Sequence, residues 1–134
     1  LEALVLLLQK TKVERIHFHN LGYYLCLEKN PWNSHADSRD ALLFAAIMAA
    51  ARAKNGLFSS IDDIQPGMAE SIGEIGLEQL NILADTFQQP SIAHEGIGTI
   101  QQYALSTIPS KLVHKPVFTV GLGDTISAGA FLTE

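Results

Sequence analysis

The chain has 134 residues, of which 47% are apolar and 17% are charged. This balance is typical of a globular protein with one core and argues against a disordered polar tail. The net charge of −5 argues against nucleic acid as the main partner, because there is no basic stripe to neutralise a phosphate backbone. The single cysteine, Cys26, excludes an intrachain disulfide and fits a reducing compartment.

The first predicted elements are a helix and two strands. Residues 1–10 form an apolar run that is too short to span a bilayer and lacks the basic start of a signal peptide, so they predict a buried helix and no membrane partner. Residues 13–21 alternate and predict a strand, which Gly22 ends. Residues 23–27 predict a second strand or a helical turn. The Pro and Asn content of residues 29–35 predicts a loop, in which Trp32 is interpreted as a core aromatic.

The clearest predicted helix spans residues 39–54, with Asp37 or Ser38 as its cap and Asn55-Gly56 as its stop. It is apolar nearly all round, which predicts packing between a sheet and other helices. A loop is predicted over 60–67, a helix over 74–83, β structure over 96–106 that continues as an edge or loop to 113, and a strand over 117–120. Strands separated by helices predict an open parallel α/β sheet with ligands at the carboxyl ends of its strands.

Residues 117–131 combine a short strand, a glycine turn, a carboxylate and a helix start. Gly121 and Gly123 allow a sharp turn and close approach to a ligand, and the N–H groups at the helix start form a seat for an anion. Asp124 would repel a phosphate bound there. It is, however, a suitable base to take a proton from a hydroxyl that attacks that phosphate. The alternative is that Asp124 only caps the helix.

The nine residues from Thr119 to Ser127, Thr-Val-Gly-Leu-Gly-Asp-Thr-Ile-Ser, resemble the glycine-x-glycine-aspartate signature of the ribokinase-like sugar kinases. More narrowly, they resemble the ADP-dependent glucokinase and phosphofructokinase family. The resemblance implies an α/β, ribokinase-like three-layer sandwich. Residues 1–134 would be the C-terminal part of its single large nucleotide-binding domain, and the N-terminal portion of the same enzyme would be a missing partner.

The resemblance also implies an activity. A cytoplasmic ADP-dependent sugar kinase would transfer a phosphoryl group from ADP to glucose or fructose 6-phosphate and release AMP, with Mg²⁺ screening the phosphates. The isolated chain is expected to be inactive, because in the family the sugar-contacting and metal-associated residues lie outside this stretch. The alternative of a different class is a non-catalytic ADP-binding or regulatory module.

By the same resemblance, Asp124 would be the general base, and the amides of Gly121, Leu122 and Gly123 would hold the charge of the transferred phosphoryl group. Lys111 or Lys115 would sense the diphosphate charge. The segment formed by Leu112, Val113 and His114 would lie over the nucleotide and meet the adenine edge mainly through backbone groups; the alternative is that it is a solvated basic connection between strands.

His19 and Asn20 resemble the strand end that closes the nucleotide pocket in ribokinase-like kinases, with a structural hydrogen-bonding role as the open alternative. His17 and His19 lie on one face of the predicted strand. No metal site is predicted there, because no cysteine or carboxylate follows at a zinc-like spacing.

Overall fold

The computed structural model describes residues 1–30 and 35–133. Most of the predicted loop over 29–35, including Trp32, lies outside the described residues. The elements in chain order are α1 (Glu2–Lys10), β1 (Arg15–His19), β2 (Tyr23–Glu28), α2 (His35–Asn55), a 3₁₀ turn (Ile61–Ile64), α3 (Gln65–Ala69), β3 (Ser71–Ile72), α4 (Glu74–Phe87), α5 (Ser91–His94), β4 (Ile97–Ile100), β5 (Tyr103–Pro109), β6 (Lys111–Leu112) and α6 (Leu122–Thr133).

The main sheet has four strands in the order β1-β2-β5-β4, and every neighbouring pair is antiparallel. The prediction of parallel pairing is therefore wrong for these strands. For two of the three pairs the reason is the length of the connection: short turns join β1 to β2 and β4 to β5, and a short turn can only produce an antiparallel hairpin. Because β1 and β5 are both antiparallel to β2, they run in the same direction. Their carboxyl ends, at His19 and Pro109, lie at one end of the sheet.

Each face of the sheet carries a hydrophobic core. Helices α1, α4 and α5 cover one face, and α2 and α6 cover the other. The first core is formed by Val5, Leu8, Leu25, Leu27, Ala84, Ile92, Ile100, Tyr103 and Leu105. The second core is formed by Tyr24, Cys26, Leu42, Ala45, Ala46, Ala49, Ile108, Ile126 and Ala130. The prediction of a three-layer α/β sandwich is confirmed.

Helix α2 packs between the sheet and helices α3 and α6, as its apolar sequence predicts. Small residues allow this close packing: a Cβ built on Gly129 of α6 would lie 3.1 Å from Ala45 Cα. The predicted stop is confirmed, because Gly56 has a φ of +86° and its N–H donates to Arg52 O at 2.7 Å.

The predicted N-terminal cap of α2 is wrong. The helix is already present at His35, the first described residue of this part of the chain, so Asp37 and Ser38 lie inside it rather than before it. The Ser38 hydroxyl instead donates to Glu28 Oε2 at 2.8 Å, which ties α2 to the end of β2.

Two further segments differ from prediction. Residues 61–69, predicted largely as a loop, form the 3₁₀ turn and α3, because Pro66 suits the first turn of a helix and Asp63 accepts the Ser60 N–H at 2.9 Å. Residues 117–120 are irregular rather than a strand. A strand needs a neighbouring strand for its backbone groups, but the N–H groups of Val117 and Phe118 donate to Ala53 O, at the end of α2, at 2.7 and 3.1 Å.

Candidate functional site

The glycine turn, residues 121–124, opens α6. Gly121 has a φ of +71°, a conformation that favours glycine. The Thr125 N–H donates to Gly121 O at 3.1 Å and is the first i to i−4 bond of the helix. The amides of Leu122, Gly123 and Asp124 precede that bond, so they lie at the helix end that attracts anions. The Thr125 hydroxyl also donates to Gly121 O, at 3.0 Å, and this second hydrogen bond helps to fix the conformation of the turn.

Asp124 is exposed and is the third residue of α6. A capping carboxylate lies one residue before the helix, so Asp124 is not at the capping position. Its Oδ2 lies 3.8 Å from the point where a Cβ on Gly121 would be. The carboxylate is thus beside the turn and open to solvent, where a ligand hydroxyl can reach it.

His19 lies directly against the turn. A Cβ built on Gly123 would be 3.0 Å from His19 Cε1 and 3.3 Å from Nε2. The His19 ring packs edge-on to Tyr24, with ring centroids 6.3 Å apart. Because His19 is the last residue of β1, the end of that strand and the start of α6 meet at residue 123, where a side chain would require the His19 ring to shift.

Asn20 has structural contacts. Its Oδ1 accepts the N–H groups of Gly22 at 2.7 Å and Tyr23 at 2.8 Å, which closes the turn between β1 and β2. Of the two roles that the sequence leaves open for Asn20, these contacts favour the structural one.

The segment with Leu112, Val113 and His114 lies at the same end of the main sheet. Ser110 connects it to the β1–β2 turn: its N–H donates to Gly22 O at 2.8 Å and its hydroxyl to Leu21 O at 2.6 Å. Leu112 itself belongs to a separate two-stranded sheet, in which β6 pairs with β3.

The two lysines that flank this segment have different settings. Lys111 Nζ donates to the carbonyls of Met68 at 2.9 Å and Glu70 at 2.8 Å, so its charge secures β6 to the end of α3. Lys115 is exposed. Of the two, Lys115 is the one that these contacts leave available to a ligand.

The sequence reasoning missed Arg52. Its Nη1 donates to Thr125 Oγ1 at 3.1 Å, and its Cζ lies 5.2 Å from the centroid of the Phe118 ring. Its Nη2 lies 3.4 Å from the Cβ position of Gly121. A signal was present, because Arg52 is the one charged residue between Ala41 and Ala53 of an otherwise apolar helix.

The described residues contain no group of three or more His, Cys, Asp or Glu side chains that could hold a metal ion. Asp124 is the one carboxylate of the glycine turn. The described residues therefore do not form an all-protein Mg²⁺ site, whereas an ion held through water and the phosphates of a nucleotide needs only one or two carboxylates. No helix within the described ranges has both the length and the apolar character to cross a membrane.

Two surface clefts lie elsewhere. The first is small and is lined by Glu14, Arg15, Glu28, Asn30 and Phe131. The second, of about 390 Å³, is lined by Asn81, Ala84, Asp85, Gln88, Pro90, Ala93 and His94. Neither includes the glycine turn, so the candidate site is assigned from the chemistry of the turn rather than from cavity volume.

Comparison with known proteins places this geometry in a family. The family model described as the ADP-specific phosphofructokinase/glucokinase conserved region matches residues 1–133. The chain belongs to the ADP-specific phosphofructokinase/glucokinase family. It is 42% identical over its whole length to the ADP-dependent glucose/glucosamine kinase of Pyrococcus abyssi and 36% identical over 98% of its length to the ADP-specific phosphofructokinase of Methanosarcina acetivorans.

A solved member of the family, an ADP-dependent kinase in complex with fructose 6-phosphate and ADPβS, superposes on 98% of the chain with a TM-score of 0.91 and 41% identity. The fold is therefore ribokinase-like, as expected. The chain spans 28% of the length of both curated relatives and 30% of that solved chain.

Proposed function

We propose that this chain supplies the catalytic base and much of the nucleotide side of an ADP-dependent sugar kinase. The observation that carries the proposal is the glycine turn, where an exposed carboxylate, Asp124, stands beside the first amides of α6. Membership of the family supports the donor, since its named members are ADP-dependent. We further propose that residues 1–134 are the C-terminal part of one nucleotide-binding domain, and that the whole enzyme is cytoplasmic.

The reaction assigned to the site is phosphoryl transfer. Asp124 accepts the proton of a sugar hydroxyl, the hydroxyl oxygen bonds to the terminal phosphorus of ADP, and the bond from that phosphorus to AMP breaks with AMP as leaving group. The amides of Gly121, Leu122 and Gly123 would hold the charge on the transferred group. Mg²⁺ would enter with the phosphates of ADP.

The remaining assignments concern the nucleotide. His19, which touches the glycine turn, would line the phosphate end of the pocket, with Asn20 holding the strand end in place. Leu112, Val113 and His114 would meet the adenine. The acceptor is proposed as glucose or fructose 6-phosphate, since the similar proteins include a glucose/glucosamine kinase and a phosphofructokinase.

Calorimetric titration of the chain with ADP, AMP and ATP tests the nucleotide assignment. We expect ADP to bind more tightly than ATP or AMP, and we expect the isolated chain to show no sugar-kinase turnover. Equal binding of all three nucleotides by a folded chain would contradict a diphosphate site, and turnover by the chain alone would contradict the assignment of only part of the site to it.

The base is tested in a chimera in which this chain replaces the matching 28% of the Pyrococcus abyssi kinase. Asp124→Asn should lower kcat by about 10²- to 10⁴-fold while ADP affinity is kept. Asp62→Asn, an exposed acid in the 3₁₀ turn, is the matched control and should leave kcat unchanged. An unchanged kcat in Asp124→Asn would favour the alternative of a non-catalytic ADP-binding module.

A further inference from the structure

We infer that Arg52 is a positioning residue that fixes the conformation of the glycine turn through contacts before and after it. This inference rests on the proposed function. Arg52 lies near the end of α2 and reaches the segment before the turn, at Phe118, and the first helical turn after it, at Thr125. The role is one of positioning because Arg52 contacts the residues on each side of the turn and not Asp124 itself.

After the turn, Arg52 acts through a chain of two hydrogen bonds. Arg52 Nη1 donates to Thr125 Oγ1 at 3.1 Å, and that hydroxyl donates to Gly121 O at 3.0 Å. The same Gly121 carbonyl accepts the Thr125 N–H at 3.1 Å. The charge of Arg52 therefore polarises the hydroxyl that holds the carbonyl of the turn, and this fixes the direction of the amides that follow.

Before the turn, the end of α2 makes a cation–ring contact and two backbone hydrogen bonds. The guanidinium lies over Phe118, with Cζ 5.2 Å from the ring centroid. The neighbouring carbonyl of Ala53 accepts the N–H groups of Val117 and Phe118. The end of α2 thus holds a segment that has no regular secondary structure of its own.

The position of the Arg52 side chain leaves one of its N–H donors unsatisfied, which is unfavourable for stability. The Nε of Arg52 is buried and has no hydrogen-bond partner within the described ranges. A buried N–H without a partner destabilises a fold, and such exceptions concentrate where function requires a particular geometry. The fold keeps the guanidinium between Phe118 and Thr125 despite that cost, which fits a role in setting the turn.

The first test measures the turn without any ligand. Hydrogen exchange of the Val117, Phe118 and Thr125 amides is compared between the chain and Arg52→Met, Arg52→Lys, Thr125→Val and Thr125→Ser. Loss of a hydrogen bond to a charged group should speed exchange at these amides by about tenfold or more in Arg52→Met and Thr125→Val. Thr125→Ser keeps the hydroxyl and should exchange like the parent chain.

Arg39→Met is the matched control, because Arg39 lies on the same helix but pairs with Asp40 and the Glu95 carbonyl. It should leave exchange at the turn unchanged. Arg52→Lys keeps the charge but loses the planar guanidinium that reaches both Phe118 and Thr125, so it should also speed exchange at the turn, though less than Arg52→Met. Exchange at the turn that stays at the control level in Arg52→Met, or in Arg52→Lys where Arg52→Met does not fold, would overturn the inference.

The second test separates positioning from general stability. Arg52→Met and Thr125→Val should weaken ADP binding by about tenfold while AMP binding changes less than about twofold, because the turn serves the terminal phosphate. Equal weakening of ADP and AMP would overturn the positioning role. If the parent chain binds neither nucleotide, the proposed function fails for the isolated chain, whereas the exchange result still decides whether Arg52 sets the turn.

Discussion

Helix α6 packs on α2, and each of its ends lies near an end of β1, where polar side chains gather. At its start, Gly123 contacts His19, and near its finish, Phe131 lines a small cleft with Arg15 and Glu28. The rise from residue 123 to 131 is about 12 Å, and the rise from residue 19 back to 15 is about 13 Å, so the two elements match in length. We call the two ends the glycine-turn end and the Glu28 end.

The two ends differ in how their polar groups are satisfied. At the Glu28 end, Glu28 is 1% exposed, and its carboxylate oxygens accept the Arg15 Nε–H at 2.6 Å and the Ser38 hydroxyl at 2.8 Å. At the glycine-turn end, Asp124 is exposed and a donor of Arg52 lacks a partner among the described residues. Removing one partner of a buried charged pair strongly destabilises a fold, whereas a buried donor left without a partner calls for a further explanation, which here is the candidate site.

The largest expected effect is on stability at the Glu28 end. Glu28→Ala should lower the free energy of unfolding by about 3–5 kcal/mol, because the Arg15 guanidinium would lose its buried carboxylate. Equilibrium urea unfolding measures this loss. Glu78→Ala, an exposed carboxylate on α4, is the control and should change stability by less than about 0.5 kcal/mol. If Glu28→Ala lost no more unfolding free energy than Glu78→Ala, the Glu28 end would not be the structural end that this comparison requires.

Gly121→Ala should cost about 1–2 kcal/mol, because its φ of +71° is unfavourable for a residue with a Cβ. Gly56→Ala is the matched control, since Gly56 has a φ of +86° and nothing lies within 4 Å of its Cβ position. The two variants should lose similar stability in urea unfolding, but only Gly121→Ala should weaken ADP binding in calorimetry. Equal ADP binding by both would contradict a ligand site at the glycine turn.

His17, between the two ends, should make stability depend on pH. Burial, followed by the charge of Arg15, lowers the pKa of His17 below its ordinary value of 6.5. The unfolded chain therefore binds this proton more readily than the folded chain, so stability is complete above pH 6.5 and decreases as the pH falls towards the folded pKa.

Urea unfolding measured from pH 7.5 to 5, roughly the range in which a histidine titrates, should show that decrease, and His17→Gln should reduce it. The exposed His114→Gln should keep the decrease. A slope that is the same in the parent chain and in His17→Gln would assign the pH dependence to other groups.

Local sequence pattern predicted much of the fold. Alternation identified β1, the apolar run identified α1 and α2, and Asn55-Gly56 identified the end of α2. It failed where long-range pairing decides the outcome. The strand pattern of residues 117–120 has no strand beside it within the described ranges, and Ser38 is recruited by Glu28 instead of capping α2.

The candidate site was predictable only in part. The glycines and Asp124 stand in one short string, so the sequence alone identifies them. The contact of Gly123 with His19 depends on where the fold places the start of α6 relative to the end of β1, and the assignment of that histidine relied on family resemblance. Arg52 lies 72 positions before Asp124, and only the packing of α2 against α6 brings it to the turn.

The smallest expected effect is the stability change in Asp124→Asn. An exposed carboxylate in the first turn of a helix stabilises it by about 0.3–1 kcal/mol, so its removal should cost no more than that in urea unfolding. Glu28→Gln, which neutralises the buried carboxylate at the other end of α6, should cost more. A loss in Asp124→Asn equal to that in Glu28→Gln would mean that both carboxylates are structural. A small loss combined with a large fall in the kcat of the chimera would mean that Asp124 serves the chemistry of the site rather than the stability of the fold.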